Sequence, residues 1–228
     1  QILLANGALN VLAKIVSSTR EDEHGEDNMQ LEALSVMFNL VKAGYGSAQS
    51  YGEETVLLGT NELDFVTEKL LGLLHIIADN HSQLLSRQEI ACKVIKQISG
   101  FGGADAVSRL QNQNRIDGMR SLLEILERVD QANGQGHLKV IASSCVLSLL
   151  VHSRSNAMYV NRYNGSMGAS GTAVVANAID IYADDKDVQQ LAAPATQQLF
   201  KTSDSLTIGD VEKPQRGANR RSRPSTAH

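Results

Sequence analysis

The sequence contains no tryptophan, and aromatic residues make up only 4% of it. With 228 residues, of which 42% are apolar, the chain is long enough to bury a substantial core. That core must consist of leucine, isoleucine, valine and alanine. No apolar run approaches the roughly 20 residues that cross a bilayer, and LLGLLHIIA at 70–78 is short and interrupted by His75. We therefore expect an aliphatic core and no membrane insertion.

Cysteine is also scarce. Cys92 and Cys145 each lie among apolar neighbours, where a free thiol behaves as a small hydrophobic side chain. This usage suits a reducing compartment, so a cytoplasmic location is expected. The net charge of −4 gives no sign of a nucleic-acid-binding surface.

Residue patterns that would support catalysis are missing. The six histidines have no cysteine, histidine or carboxylate partner at metal-ligand spacing. The glycine-rich stretch SGFGGADA at 99–106 lacks the preceding strand and the Lys-Ser/Thr ending of a phosphate-binding loop, so it predicts a connection between helices. Ser143, Ser144 and Ser148 lack a G-x-S-x-G elbow. We expect no enzyme activity, no cofactor, no metal and no small-molecule substrate.

What the sequence does contain is a helical repeat. Four segments carry apolar residues at helical spacing around a small alanine; these anchors are Ala33, Ala91, Ala142 and Ala192, which are 58, 51 and 50 residues apart. A second apolar stretch precedes each segment, and a polar or glycine-containing connection separates the two. Since each amphipathic helix pair buries only one face, neighbouring pairs must stack. The pattern predicts an all-α protein.

The opening ILLANGALNVLAKIVSS, followed by MQLEALSVMFNLV, resembles an armadillo repeat. In that family a first helix ends at a glycine turn, and a second helix leads into a longer third helix. On this reading Gly7 makes the turn, because glycine carries no penalty at positive φ, and RIDGMRSLLEIL repeats the turn with Gly118. The resemblance implies a right-handed superhelical solenoid of about four repeats, cut from a longer array.

The expected repeats are residues 1–43, 44–99, 100–152 and 153–200, forming one domain over 1–200. This spacing exceeds the roughly 40 to 47 residues of an armadillo unit. It therefore predicts loop insertions such as YGSAQSYGEE at 45–54 and YNGSMGASG at 163–171. Pro194 should kink the last third helix.

In armadillo proteins the third helices line a concave groove that holds an extended partner segment. Importin-α-like members use a tryptophan and, four residues later, an asparagine. The anchors place Ser35, Lys93, Ser144 and Pro194 at the tryptophan positions and Asn39, Gln97, Ser148 and Gln198 at the asparagine positions. The resemblance makes all of these except Pro194 candidate partner-binding residues. Without tryptophan, binding of basic nuclear signals is not expected, and an exposed helix face without a partner remains the alternative.

The segment after Phe200 is rich in serine, proline, arginine and glycine, with six basic residues against three acidic ones. Its composition predicts a basic tail over 201–228 that is unfolded by itself. Arg220, Arg221 and Arg223 are the candidates for a contact with an acidic neighbour; the alternative is a solvated linker.

These observations favour a non-catalytic scaffold that binds other proteins, within a multi-subunit assembly, through its concave face and its basic tail. Armadillo-like proteins are common in cytoskeletal and ciliary assemblies, which are one expected setting. A regulatory domain that recognises a small GTPase, or a helical accessory domain of an enzyme, would show the same sequence pattern.

Overall fold

The computed structural model describes residues 7–17, 26–51, 60–75, 82–113, 115–128, 135–165 and 168–209. Within these ranges the chain is all-helical and contains no strand, which confirms the predicted fold class. A single antiparallel bridge joins Asn164 and Ser170.

The helices follow one another with short connections. In chain order they are α1 Ala8–Val16, α2 Glu26–Tyr51, α3 Thr60–His75, α4 Ser82–Ile98, α5 Ala104–Asn112, α6 Gly118–Glu127, α7 Gln135–His152, α8 Arg154–Arg162, α9 Gly171–Ile181 and α10 Lys186–Gly209.

Several helix starts are set by local residues. Gly7 precedes α1 with a φ of 72°, which confirms the predicted left-handed turn. Asp117 caps α6 by accepting a hydrogen bond from the backbone N–H of Arg120 at 3.1 Å. Asp185 caps α10 in the same way, since its side chain accepts from two backbone N–H groups. Such caps satisfy the backbone donors that a helix leaves unpaired at its N-terminus.

The glycine-rich stretch after α4 connects that helix to α5, as the sequence predicted. Residues Ser99–Gly103 form a π-type turn, and Gly102 adopts a φ of 92°. A Cβ atom on Gly103 would lie 2.5 Å from the carbonyl oxygen of Ile98. Both glycines are needed here, because one adopts positive φ and the other allows close backbone approach.

Two rows of helices organise the packing. In the first, called the long row below, α2 packs on α4, α4 on α7 and α7 on α10. In the second, the short row, α1 packs on α3, α3 on α6 and α6 on α9. Helices α5 and α8 belong to neither row and contact each other. Each interior helix of a row therefore has a neighbour in front and behind.

The core is aliphatic, as the composition predicted. Its largest fully buried side chains are leucine, isoleucine and methionine, among them Leu34, Leu71, Ile95 and Leu123. Cys92 and Cys145 are free thiols in this core and are both fully buried, which confirms their predicted state.

Three sequence expectations need correction. Helix α2 continues to Tyr51, so residues 45–51 are helical and the predicted boundary at 43 falls inside a helix. Helix α10 continues to Gly209 with Pro194 inside it, so residues 201–209, which were predicted to be unfolded, are helical. Gly118 has no positive φ; it opens α6, and an added Cβ would lie 2.5 Å from Leu71 Cδ1. Close packing between α3 and α6, not a left-handed turn, requires this glycine.

Among the described residues, no single helix has the length and hydropathy of a membrane span. Helices α7 and α8 pass that test only as a pair, and they are bent by 118° relative to each other.

Candidate partner-binding site

The candidate site is a polar pocket of about 330 Å³ where α4, α7 and α10 meet. These are three of the four helices of the long row. The pocket is lined by Lys96, Gln97, Ser99, Gly100, Ser148, His152, Asp187, Gln190 and Leu191. It includes two of the predicted partner-binding residues, Gln97 and Ser148.

One edge of the pocket is an ion pair between helices that are not neighbours in the row. Lys96 Nζ on α4 lies 2.5 Å from Asp187 Oδ2 on α10, although α7 packs between these helices. The lysine side chain is only 17% exposed and the aspartate is 60% exposed. The pair neutralises both charges at the rim and leaves the pocket polar rather than strongly charged.

The floor of the pocket is a pair of buried hydroxyl groups. Ser99 Oγ lies 2.6 Å from Ser148 Oγ, and it also lies 2.7 Å from the carbonyl oxygen of Lys96. A serine has one hydroxyl proton. Since Ser99 donates that proton to the Lys96 carbonyl, Ser148 must donate to Ser99.

This geometry corrects two of the predicted contacts. Ser148 is 5% exposed and its proton is used inside the protein. Ser144 is 4% exposed and donates to the carbonyl oxygen of Ile141 at 3.0 Å. Both hydroxyls are used inside the protein, since Ser144 donates within α7 and Ser148 donates to Ser99, and α7 has neighbours in the long row on both sides.

The other predicted residues keep some exposure. Asn39 is exposed, and Lys93, Gln97 and Gln198 are half-buried. Ser35 is half-buried and donates to the carbonyl oxygen of Leu31 at 2.8 Å. The tail residues Arg220, Arg221 and Arg223 lie outside the described residues.

Polar contacts along the long row were missed at the sequence level. Arg87 donates to the side chain of Gln30, which links α4 to α2. His137 Nδ1 lies 3.0 Å from Glu89 Oε1, which links α7 to α4. Alignment on the alanine anchors could not find these pairs, since their partners occupy different positions relative to their anchors. The sequence feature that could have indicated these contacts is the recurrence of polar side chains in the residues before each anchor.

The amide and imidazole groups give the pocket its chemical capacity. The side chains of Gln97 and Gln190 each offer two N–H donors and one carbonyl acceptor. His152 adds a ring nitrogen at the end of α7. Such groups can pair with both the N–H and the C=O of a peptide backbone.

Within the ranges that the structure describes, no three histidine, cysteine, aspartate or glutamate side chains are grouped to hold a metal ion. A hydrogen bond from Cys145, together with burial, raises the pKa of Cys92, so that thiol remains protonated and unreactive.

Comparison of the chain with protein-family models, with curated proteins and with solved structures gives no match. The all-helical architecture and the geometry of the pocket are thus the observations on which a function must be built.

Proposed function

We propose that the chain is an armadillo-like solenoid that acts as a non-catalytic scaffold. It binds an extended segment of a partner protein along the long row formed by α2, α4, α7 and α10. The packing supports this proposal because each helix of that row contacts the next one. Stacked helix pairs of this kind present one continuous surface to a ligand.

The observation that carries the proposal is the polar pocket between α4, α7 and α10. Gln97, Gln190 and His152 converge there beside the Lys96–Asp187 ion pair. Side-chain amides that line a groove between helices can hold a peptide backbone without reading its side chains. We therefore propose main-chain recognition as the basis of binding at this pocket.

The same row offers further contacts on either side of the pocket. Asn39 on α2 is exposed, and Lys93 on α4 and Gln198 on α10 are half-buried. An extended segment spans roughly 3.3 Å per residue, whereas packed helices lie about 8 to 10 Å apart. One contact for every third residue of the partner is the expected spacing.

The proposal can be tested with peptides selected from a random library for binding to the chain. Replacing Gln97 and Gln190 together by alanine removes two hydrogen-bonding groups worth about 0.5 to 1.5 kcal/mol each. The expected loss of affinity is roughly 5- to 150-fold, measured by calorimetry. Gln113→Ala is the matched control, because Gln113 is an exposed glutamine beyond the end of α5 and away from the pocket.

Two results would count against peptide binding at the polar pocket. Peptides that bind the double variant as tightly as the original chain would place the site elsewhere. A library that yields no binders would remove extended-peptide recognition altogether.

The setting we propose is a multi-subunit assembly in the cytoplasm, with the cytoskeleton or the cilium as candidates. Capture from cell extract with the original chain and with the Gln97/Gln190 variant in parallel tests this setting. Assembly proteins lost with the variant support the scaffold. Capture of a small GTPase in one nucleotide state only would favour a regulatory domain.

A further inference from the structure

The polar pocket between α4, α7 and α10 differs in character from the larger grooves of the described structure. Of the described side chains that line it, only Leu191 is apolar. The groove of about 610 Å³ between α9 and α10 is instead lined by Val175, Ile179, Leu199 and Phe200, among others. A volume of about 330 Å³ lies at the lower end of the roughly 300 to 1,000 Å³ that ligand sites span. The pocket therefore suits one side chain of a partner.

The floor of the pocket accepts hydrogen bonds and donates none. Ser99 donates its hydroxyl proton to the carbonyl oxygen of Lys96 at 2.7 Å, and Ser148 donates to Ser99 at 2.6 Å. Each hydroxyl has one proton and two lone pairs. Ser148 Oγ therefore keeps its acceptor positions for an occupant, because its own proton is used by Ser99. An occupant must bring a hydrogen-bond donor to this floor.

The edge of the pocket supplies the opposite kind of group. The ammonium group of Lys96 has three N–H donors, and it lies 2.5 Å from Asp187 Oδ2. That ion pair uses one of the donors, so others can pair with a carbonyl oxygen of an occupant. The lysine side chain is mostly buried, and a hydrogen bond away from bulk water is electrostatically stronger. The pocket thus offers an acceptor at its floor and a donor at its edge.

The charges at this edge are already balanced, since Lys96 and Asp187 pair with each other. A carboxylate from a partner would face the acceptor oxygen of Ser148, and an ammonium group would face the charge of Lys96. Either ion would lose its hydration without gaining an unpaired counter-ion. An apolar side chain would separate Ser148 Oγ from water without replacing its hydrogen bond. The site therefore favours an uncharged polar group.

We propose that the polar pocket binds the primary amide of an asparagine or glutamine side chain in the partner segment. The amide N–H donates to Ser148 Oγ, and the amide oxygen accepts from Lys96 Nζ. Gln97 and Gln190 remain available for the main chain on either side. This inference rests on the proposed peptide site and adds a preference for one side chain to it.

A primary amide suits the site because it carries two N–H donors and a separate acceptor oxygen without net charge. A serine or threonine hydroxyl would have to serve both the floor and the edge from a single oxygen atom. The isosteric acids, aspartate and glutamate, have the same shape but bring only acceptors when they are ionised. Comparison of amide with acid therefore isolates the hydrogen-bonding pattern from the size of the side chain.

The first test compares peptides on the original chain. Peptides selected from a random library for binding to the chain should carry asparagine or glutamine at one shared position. Replacement of that residue by its isosteric acid should weaken binding roughly 5- to 150-fold in calorimetry, since two hydrogen bonds are lost. Introduction of the same acid at another position of the peptide is the control and should leave the affinity nearly unchanged.

Two serine variants on α7 test the contact from the protein side. Ser148→Ala removes the acceptor oxygen, so it should weaken binding of the amide peptide without weakening binding of the acid peptide. Ser144→Ala is the matched control, because Ser144 is also buried on α7 but donates to Ile141 and does not line the pocket. Urea unfolding should show that both variants are folded. The peptide comparison uses the original chain, so it decides the question even where Ser148→Ala fails to fold.

The outcomes separate this inference from the proposed function. Peptides that lose affinity with the Gln97/Gln190 variant but share no asparagine or glutamine would keep the peptide site and overturn the amide preference. Equal binding of the amide and acid peptides would overturn that preference too. A library without binders, or binding that does not depend on Gln97 and Gln190, would overturn both proposals. Free glutamine that binds as tightly as the selected peptide would mean a small-molecule site, and a partner side chain would then not be the occupant.

Discussion

Lys96 and Asp187 are 91 residues apart in sequence, yet their side chains form an ion pair with 2.5 Å between Nζ and Oδ2. They extend from α4 and α10, which both pack against α7. The pair therefore connects two helices of the long row across the end of a third, and it forms one edge of the polar pocket.

A double-mutant cycle with Lys96→Gln and Asp187→Asn should give a coupling free energy of about 0.5 to 1 kcal/mol. The value stays small because Asp187 is 60% exposed and solvent screens the pair. Added salt should reduce it. Urea unfolding of the four proteins at low and high salt provides the measurement. The Arg120–Glu124 pair within α6, at 2.7 Å, serves as a local comparison. No coupling at low salt would show that the pair is open in solution.

Two glycines in contacting helices should respond to alanine with opposite signs. In Gly118→Ala the new Cβ would lie 2.5 Å from Leu71 Cδ1, and such overpacking costs about 1 to 3 kcal/mol of stability. Gly72 lies inside α3 with open space where its Cβ would be. Gly72→Ala should therefore stabilise the protein by about 0.5 to 1 kcal/mol through helix propensity. The free energy of unfolding in urea measures both, and equal effects would contradict the packing described for Gly118.

Alkaline pH should destabilise the protein through Tyr163. Burial, the charge of Glu127 and a hydrogen bond to its carboxylate raise the pKa of Tyr163 to about 12. An unfolded tyrosine has a pKa of about 10. Between these values the folded state binds the proton more strongly, so its stability is fully present below about pH 10 and falls as the pH rises towards 12.

The measurement is the free energy of unfolding of the original chain and of Tyr163→Phe at several alkaline pH values. The variant should lose less stability over this range. Tyr159→Phe should act in the same direction, because burial and Asp117 raise the pKa of Tyr159 as well. Identical pH slopes for the original chain and both variants would contradict the assignment.

Cys92 and Cys145 should be inert in the folded protein. Both are fully buried, and a thiol must ionise and be accessible to react. A chromogenic disulfide reagent should modify them only as fast as the protein opens. Leu123→Ala, which removes a fully buried side chain and costs about 2 to 5 kcal/mol, should speed that reaction.

Ser155→Cys is the positive control for this experiment, because Ser155 is exposed at the start of α8. Rapid modification of Cys92 or Cys145 in the original chain would mean that the contact between α4 and α7 opens locally, without unfolding of the whole protein.

The sequence was sufficient for the all-helical class and for the burial of three of the four anchors. The anchors Ala33, Ala91 and Ala142 are all buried, as helical spacing around a small residue predicted. Gly7 makes the left-handed turn, since only a residue without Cβ adopts that conformation without penalty. The end of α2 was misplaced, because glycines at 44, 46 and 52 suggested a loop and tertiary contacts outweigh such local preferences.

The candidate site was predictable only in part. Four-residue spacing correctly grouped positions on one helix face, but it could not tell which of them a neighbouring helix would cover. Ser148 was therefore predicted to face a partner, although its hydroxyl donates to Ser99.

What the sequence by itself determined is the all-helical class and the aliphatic core, because these follow from local periodicity and residue size. Only the tertiary structure decided that Lys96 forms an ion pair with Asp187 and that Leu71 packs against Gly118. It also decided that Val36 and Phe200 are exposed, whereas the residues at the same positions relative to the other anchors are buried. These features depend on how far each helix is shifted and rotated against its neighbours, and periodicity along one helix carries no information about that.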